Sequence, residues 1–332
     1  MSGEDESCVL ITGATGFIGS SLPGLLAREF AVVRAGVRQA RPSTRMAPNV
    51  RECRCDLDNL DQLSAAVTSS SVVVHTAYRS VTAMHDQCRR LLDAMSAAGT
   101  SNLVFLSSIA VYGEADGIVR EDAPLQGDPG SYGLAKRQCE DSIRHWVEQQ
   151  PATRRAIILR PGIVYGANSL LWVDKMLERI RCGAWGSFGP SGEGAAALIH
   201  VDDVAAIIVK ACARLAQASP PLPAVNVVNA VGPETPSWNA YFQALAAADG
   251  QPALRQFSRG ELAFRMTAAI VAKAWRKAGL PGGRCAALAP TPGELRLFAL
   301  RASYAVDNAE ALLGFKAGIG LQDGLRRTFP AR

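Results

Sequence analysis

Tyr132 and Lys136 lie four residues apart and carry side chains suited to moving a proton. On a helix such residues share one face, so the phenol and the ammonium would be neighbours. A neighbouring cation favours the phenolate and predicts a lowered pKa for Tyr132. Most Tyr-x-x-x-Lys pairs lie on solvated helix faces and have no catalytic role. The upstream sequence decides whether this pair is solvent-exposed or catalytic. There, an apolar run at 103–106 ends in two hydroxyl residues, Ser107 and Ser108, which could join the same site.

Three glycines near the N-terminus suggest a second function, the binding of phosphate groups. Gly13, Gly16 and Gly19 form a G-x-x-G-x-x-G pattern after a short apolar run. A strand, a glycine turn and a helix together aim free backbone amides at a pyrophosphate. Gly13 permits the sharp turn, Gly16 the close approach of the phosphates, and Gly19 the packing of helix on strand. A purely structural turn is the alternative, but the hydroxyl strand and Tyr132 further along the chain favour a dinucleotide site.

The elements that position these residues follow an alternating rhythm of apolar runs and helical patterns. Strands are predicted at 8–12, 31–37, 51–55, 71–76, 102–107, 156–160 and 224–229. Helices are predicted at 17–29, 59–68, 84–98, 131–149, 201–215, 236–249 and 258–278. Repeated strand–helix–strand units predict an α/β fold, a Rossmann-like doubly wound parallel sheet. The predicted nucleotide domain covers 1–166 and 199–231, and a smaller, mostly C-terminal substrate-binding lobe covers 167–198 and 232–332.

Composition excludes several classes of function. The 332 residues carry 35 basic and 30 acidic side chains, and the dispersed net charge of +5 predicts no nucleic-acid partner. Eight cysteines without C-x-x-C spacing predict reduced thiols in a cytoplasmic protein. Four histidines without ligand spacing predict no metal site. The polar N-terminus does not resemble a signal peptide, and no apolar run reaches the ~20 residues of a membrane span.

Taken in order, these motifs resemble the extended short-chain dehydrogenases/reductases, also called the NAD-dependent epimerase/dehydratase family. The resemblance is carried, besides Tyr132 and Lys136, by segments 12–19, 56–57, 74–77, 107–113, 159–166, 199–205, 312–315 and 324–328. It implies an enzyme with a Rossmann-like nucleotide domain, a nicotinamide cofactor and a small-molecule substrate. Hydride would pass between nicotinamide C4 and a carbinol carbon, which is chemistry that the cofactor carries.

The resemblance also assigns roles to individual residues. Tyr132 exchanges a proton with the reacting oxygen, Ser108 hydrogen-bonds the same oxygen, and Lys136 lowers the tyrosine pKa and holds the nicotinamide ribose. These three are the predicted catalytic residues. The residues assigned to the cofactor are Gly13, Thr15, Gly16, Phe17, Ile18, Arg38, Asp56, Leu57, Thr76, Ala77, Lys136 and Pro161.

Arg38 decides the predicted cofactor. It follows the second strand, where NAD enzymes commonly place an acid for the ribose 2′-hydroxyl. A guanidinium, with Arg41 nearby, suits a 2′-phosphate instead. We therefore expect NADP(H) rather than NAD, the alternative being a solvent-exposed arginine. Asp56 resembles the family's adenine contact, and Leu57 is its apolar neighbour.

Two departures from the family narrow the expected reaction. Ser107, Ser108 and Ile109 stand where sugar dehydratases carry Thr-Asp-Glu, so the groups that eliminate water are missing. Ala196 stands where nucleotide-sugar epimerases carry an arginine for the diphosphate, unless Arg265 or Arg301 replaces it. The sequence thus favours an NADP(H)-dependent oxidoreductase that interconverts a ketone and a secondary alcohol on a small, fairly apolar molecule. A nucleotide-sugar 4-epimerase or 4-ketoreductase is the first alternative, and a non-catalytic NADP-binding regulator the second.

Several further features of the chain leave alternatives open. Asp202 and Asp203 are expected to cap a helix rather than bind metal, and His200 to be a packed residue rather than a base. Segment 258–278 could cover an apolar pocket or lie on a membrane surface. The helices at 84–98 and 131–149 could pair in a homodimer. Several apolar residues of the lobe are expected to line or roof the substrate pocket, from the set Trp238, Phe242, Phe257, Leu262, Phe264, Trp275 and Phe298.

Overall fold

The computed structural model describes residues 7–39, 46–217 and 222–330 of the chain. The strands are β1 (Cys8–Thr12), β2 (Val32–Val37), β3 (Val50–Arg54), β4 (Val72–His75), β5 (Asn102–Leu106), β6 (Ile118–Val119), β7 (Arg155–Pro161), β8 (Ile163–Tyr165), β9 (Leu198–His200), β10 (Val225–Ala230) and β11 (Ser303–Tyr304). The helices are α1 (Pro23–Leu26), α2 (Leu60–Val67), α3 (Met84–Ala98), α4 (Gly130–Glu148), α5 (Lys175–Arg181), α6 (Val201–Ala216), α7 (Trp238–Ala248), α8 (Arg259–Lys277), α9 (Pro292–Ala299), α10 (Asp307–Leu313) and α11 (Leu321–Thr328).

Within the described residues, seven strands form one parallel sheet in the order β10-β7-β5-β4-β1-β2-β3. From β1 the chain builds outward through β2 and β3, then returns to add β4, β5, β7 and β10 on the other side. The strand order therefore reverses between β1 and β4, where Ile11 pairs with Val74. Open α/β sheets bind ligands beyond the carboxyl ends of their strands at such a point. The predicted fold class, a Rossmann-like doubly wound sheet, is confirmed.

Both faces of this sheet are buried under helices. Ile11 and Val74 face one apolar core, which includes Ile207 of α6. Leu10 and Val73 face the other, which α2, α3 and α4 cover. Alternate residues of a strand point to opposite faces, so burial on both sides requires the continuous apolar runs seen in the sequence.

The helix predicted at 17–29 is wrong as one element. A 3₁₀ turn at Gly19–Ser21 is followed by the short helix α1, which Pro23 begins. Pro23 has no amide proton to donate to the Gly19 carbonyl, and the Leu22 amide donates to that oxygen instead, at 3.2 Å. The proline thus divides the helix directly after the glycine turn.

The smaller lobe is built around a core of aromatic rings. The Trp238 and Phe298 ring centroids lie 4.6 Å apart, and both side chains are 1% exposed. The rings of this core are Tyr165, Trp185, Phe188, Trp238, Tyr241, Phe242, Phe257 and Phe298.

The prediction that lobe residues line a substrate pocket is therefore wrong for most of them. Four of the predicted residues, Trp238, Phe242, Phe257 and Phe298, pack against each other in the aromatic core, and Leu262 lies at its edge. Phe264 and Trp275 face solvent on α8. The rings stabilise the lobe and are not free to contact a substrate.

A disulfide between Cys182 and Cys285 corrects the prediction that all thiols are reduced. It joins the end of α5 to the segment after α8, across 103 residues of sequence. The other cysteines are free, and all but Cys53 are buried.

The start of α6 differs from the sequence prediction. His200, not an aspartate, caps this helix, with Nδ1 accepting a hydrogen bond from the Asp202 amide at 3.2 Å. Asp203 accepts from the Gly318 and Ile319 amides and thereby anchors the C-terminal segment. His200 is 2% exposed. In the described part of the chain, no cluster of three potential metal ligands occurs.

Candidate functional site

The glycine turn after β1 lies against the end of β4. Gly13 has φ of +76°, and a Cβ at this position would stand 2.8 Å from the Ala77 Cβ. Both the backbone conformation and the contact therefore require glycine. The Thr76 hydroxyl donates to the Thr12 carbonyl at 2.7 Å and holds the two strand ends together. Gly13, Thr76 and Ala77, all predicted cofactor residues, are thus neighbours at the switch point.

Free backbone amides cluster in the same turn. The Gly16 amide closes the turn by donating to the Gly13 carbonyl at 2.9 Å. The amides of Thr15, Phe17 and Ile18 donate to no other group among the described residues. Thr15 and Gly16 are exposed. Adjacent free amides in an exposed turn fit a diphosphate, so these residues would hold the pyrophosphate of a dinucleotide.

The neighbouring strand ends place three further predicted cofactor residues. Arg38 directly follows β2 and its side chain is exposed, whereas Arg41 lies outside the described residues. Asp56 follows β3 and accepts from the Asp58 amide at 3.0 Å. Leu57 is 5% exposed and packs in the core under α2 and α3. Arg38 and Asp56 thus flank the side of the glycine turn where an adenosine would extend.

His75 and Pro161 are buried groups at the same edge. The Thr12 hydroxyl lies 2.7 Å from His75 Nδ1, and burial lowers the pKa of His75 to about 3. The imidazole is therefore neutral near pH 7 and stabilises the turn. Pro161 ends β7, beside Ala230 of β10.

The predicted catalytic hydroxyls meet where α4 crosses the turn after β5. Ser108 caps this turn, its Oγ accepting from the Ala110 amide at 3.1 Å. A Cβ at Gly133 would overlap the Ala110 carbonyl, so glycine beside Tyr132 lets the helix come this close. The Ser108 hydroxyl lies close enough to the Tyr132 phenol to lower the pKa of that phenol. The structure therefore brings Ser108 and Tyr132 together.

Lys136 lies beneath this pair. Its Nζ donates to the Leu106 carbonyl at 2.5 Å and stands 4.7 Å from the Phe105 ring centroid and 5.9 Å from that of Tyr132. The side chain is 6% exposed, and burial lowers the pKa of Lys136 to about 8. The ammonium is still mostly charged at pH 7.

The predicted lowering of the Tyr132 pKa is wrong for this structure. Burial raises the pKa of Tyr132, and nearby Tyr78 raises it further. The nearby Ser108 hydroxyl lowers the pKa of Tyr132, but this effect is smaller than that of burial. Desolvation of a phenolate thus outweighs its stabilisation, and Tyr132 is a neutral phenol at pH 7.

Tyr78 is a site residue that the sequence analysis missed. Its ring centroid lies 6.2 Å from that of Tyr132 and 5.7 Å from Lys136 Nζ. The side chain is 45% exposed. The position of Tyr78 just past the end of β4 could have indicated a site residue, because side chains at the carboxyl ends of parallel strands face the ligand.

Ser107 serves a different purpose from Ser108. Its hydroxyl donates to Glu140 Oε1 at 2.5 Å, and Glu140 forms a 2.6 Å ion pair with Arg160, both side chains being 1% exposed. Arg160 also donates to the Tyr112 hydroxyl at 2.7 Å. This buried network joins β5, α4 and β7, so it fixes the backbone on which Ser108 and Tyr132 stand.

The surroundings of Ala196, Arg265 and Arg301 show which of these positions could offer a charge to a substrate diphosphate. Ala196 is fully buried and offers no charge. Arg265 is engaged by Glu261, by the Gly183 carbonyl and by the Phe257 ring. Arg301 is exposed and precedes Ala302, which packs in one cluster with Ile109 of the turn after β5.

The chain belongs to the NAD dependent epimerase/dehydratase family, whose sequence profile matches residues 9–227. It is 30% identical over 196 residues to N-acetyl-alpha-D-glucosaminyl-diphospho-ditrans,octacis-undecaprenol 4-epimerase of Escherichia coli O157:H7. It is 24% identical over 219 residues to UDP-glucose 4-epimerase of Vibrio cholerae. These alignments span 56% and 65% of the relatives' lengths and 56% and 60% of this chain.

Solved structures match over nearly the whole chain. The structure of MoeE5 in complex with UDP-glucuronic acid and NAD is 25% identical, with a TM-score of 0.70 over 97% of this chain and 98% of the other. UDP-glucuronic acid 4-epimerase from Bacillus cereus in complex with NAD shares the fold at 21% identity, with a TM-score of 0.70 over 97% of this chain and 95% of the other.

Proposed function

We propose that this protein is an NAD-dependent 4-epimerase of a sugar carried on a diphosphate. The observation that carries the proposal is that Ser108, Tyr132 and Lys136 come together at the same carboxyl edge of the sheet as the free amides of the glycine turn. Two relatives and one structural neighbour are named as 4-epimerases, and all three act on sugar diphosphates by name. This is the first alternative of the sequence analysis, preferred here over the ketone reductase.

The proposed reaction exchanges a hydride and a proton at one carbinol centre. The free amides of the glycine turn would hold the pyrophosphate of NAD, and the bound cofactor would supply reversible hydride transfer at sugar C4. Tyr132 takes the proton of the 4-hydroxyl as the ketone forms and gives it back as the alcohol re-forms, and Ser108 hydrogen-bonds that oxygen in both states. Because burial raises the pKa of Tyr132, its phenol must lose a proton before it can act as the base, and the Lys136 ammonium 5.9 Å from its ring would favour the phenolate. Since Ile109 and Ser108 supply no carboxyl group, loss of water from the sugar has no acid and base here.

Arg301 is proposed to bind the substrate diphosphate in place of the arginine that Ala196 lacks. Its exposed side chain starts next to Ala302, which packs in one cluster with the turn after β5 that Ser108 caps. Charged hydrogen bonds contribute about 1.5–3 kcal/mol each, so Arg301→Ala should weaken binding of UDP at least tenfold. Arg89, an exposed arginine of α3, supplies the matched control Arg89→Ala.

Titration calorimetry of the NAD-loaded enzyme with UDP and dTDP tests this assignment. Micromolar binding that Arg301→Ala weakens and Arg89→Ala preserves is the expected result. Wild-type protein that binds neither nucleotide would refute the sugar-diphosphate proposal.

NAD is proposed as the cofactor because structural neighbours are complexes with NAD. Arg38 still places a cation, and no acid, after β2. We expect wild-type protein to retain NAD on purification, and Arg38→Ala to weaken NADP binding while leaving NAD binding nearly unchanged. Recovery of NADP alone from the purified protein would contradict this.

An NADP(H)-dependent ketone reductase is the second candidate, and the exposed Arg38 and the uncharged Ala196 favour it. The two reactions differ in cofactor balance, because a reductase consumes one NADPH per turnover and an epimerase returns its hydride. Sustained NADPH oxidation with apolar ketones would select the reductase.

A further inference from the structure

Helix α8 carries an apolar stripe that the rest of the protein leaves uncovered. Ala269 and Ala272 are the buried residues of this helix. On the opposite side Phe264, Ile270 and Val271 are 74%, 70% and 62% exposed. Large apolar side chains such as these normally pack inside a protein. The sequence left open whether segment 258–278 covers an apolar pocket or lies on a membrane surface. Phe264 and Val271 of this stripe line an open apolar groove together with the chain that follows the helix.

The segment after α8 extends this apolar surface into a groove. The Trp275 indole donates to the Pro281 carbonyl at 2.9 Å and holds the returning chain against the helix. Leu280 is 43% exposed beside it. The resulting open groove has a volume of about 590 Å³ and is lined by Phe264, Thr267, Ala268, Val271, Ala272, Trp275, Pro281 and Gly283.

The charged residues at the C-terminal end of α8 are all basic. No acidic residue occurs from 262 to 293. Lys273, Arg276 and Lys277 are exposed at the C-terminal end of α8 and form no ion pair with other described residues. By contrast, Arg265 and Arg284 of the same region pair with Glu261 and Glu178. Three cations without an ion-pair partner among the described residues therefore lie on the helix that carries the apolar stripe.

We propose that the α8 surface docks on a bilayer containing anionic phospholipids. An interfacial helix combines bulky apolar residues on one side with lysines and arginines at its flanks, and both features are present here. Attraction to anionic headgroups follows from the three free cations, and insertion of Phe264 and Val271 removes their apolar surface from water. No helix among the described residues is long and apolar enough to cross a bilayer, so contact would be with its surface. This inference does not depend on the proposed epimerase activity.

Vesicle co-sedimentation of the full chain tests the proposal. Wild-type protein should bind phosphatidylcholine vesicles that contain phosphatidylglycerol, and bind pure phosphatidylcholine far more weakly. Lys273→Ala/Lys277→Ala should weaken binding roughly fivefold for each cation removed, from about 1 kcal/mol per basic residue. Added salt should weaken wild-type binding in the same direction.

A matched pair of variants separates docking from general surface effects. Phe264→Glu/Val271→Glu should abolish vesicle binding while nucleotide binding remains. Ile118→Glu/Leu60→Glu changes residues that are 76% and 57% exposed elsewhere and should leave vesicle binding intact. The proposal is overturned if the α8 pair binds vesicles like wild type. It is also overturned if light scattering shows that the α8 pair only dissociates an oligomer, since a second copy would then cover the stripe.

Discussion

The buried ammonium of Lys136 makes folding stability depend on pH in a defined direction. Burial lowers the pKa of Lys136 from 10.5 to about 8. Between these two values the unfolded chain binds more protons than the folded chain. Unfolding in this range takes up a proton, which becomes less favourable as the pH rises, so the free energy of unfolding rises with pH.

The size of this effect follows from the same shift. The full difference in pKa corresponds to about 3 kcal/mol, at 1.36 kcal/mol for each pH unit. Between pH 7 and pH 9 only part of it is recovered, about 1 kcal/mol. Lys136→Met keeps most of the apolar stem and removes the charge, so it should abolish this contribution.

Urea unfolding of the nucleotide-free protein at pH 7, 8 and 9 measures it. The difference between wild type and Lys136→Met should change by about 1 kcal/mol over this range. Lys210 is exposed on α6, and Lys210→Met is the matched control that should leave the pH dependence as in wild type. Parallel curves for wild type and Lys136→Met would show that the ammonium is not buried, and the reasoning would fail.

The other predictions concern the remaining site residues and the assembly. Tyr132→Phe should lower turnover by roughly 10²–10⁴-fold, with NAD affinity nearly unchanged in fluorescence titration; retention of a tenth of the activity would place the proton donor elsewhere. Ser108→Ala should lower kcat with little loss of stability. Ser107→Ala removes a buried hydrogen-bond donor to Glu140 and should lower the unfolding free energy by about 1–3 kcal/mol. Kinetics and thermal melts of both variants measure these effects, and two variants with the same loss of kcat and of stability would count against separate roles. A homodimer through α3 and α4 is expected, and a mass of 35.2 kDa by light scattering would contradict it.

The parts of the fold with strong periodicity could be predicted from the sequence. β1 and α3 have the predicted bounds, because apolar runs and a 3.6-residue repeat are local signals. Pro23 is a local signal as well, and it predicts that the segment 17–29 does not form one continuous helix.

Features that depend on tertiary packing could not be predicted. Apolar character is the same for Trp238, which packs in the aromatic core, and for Trp275, which faces solvent. The Cys182–Cys285 bond joins residues 103 apart, and no spacing rule indicates such a pair. The direction of the Tyr132 pKa depends on how far its phenol is desolvated, which only the packing of α4 determines.

The most direct test of the central proposal is epimerisation of UDP-sugars in D₂O, followed by NMR. Incubation of the NAD-loaded enzyme with UDP-glucose, UDP-N-acetylglucosamine and UDP-glucuronic acid should convert at least one of them into its 4-epimer. The hydrogen at C4 should remain protium, because a hydride that leaves and returns through the nicotinamide never exchanges with solvent. Deuterium at C4, or no 4-epimer from any of these sugars, would contradict the account.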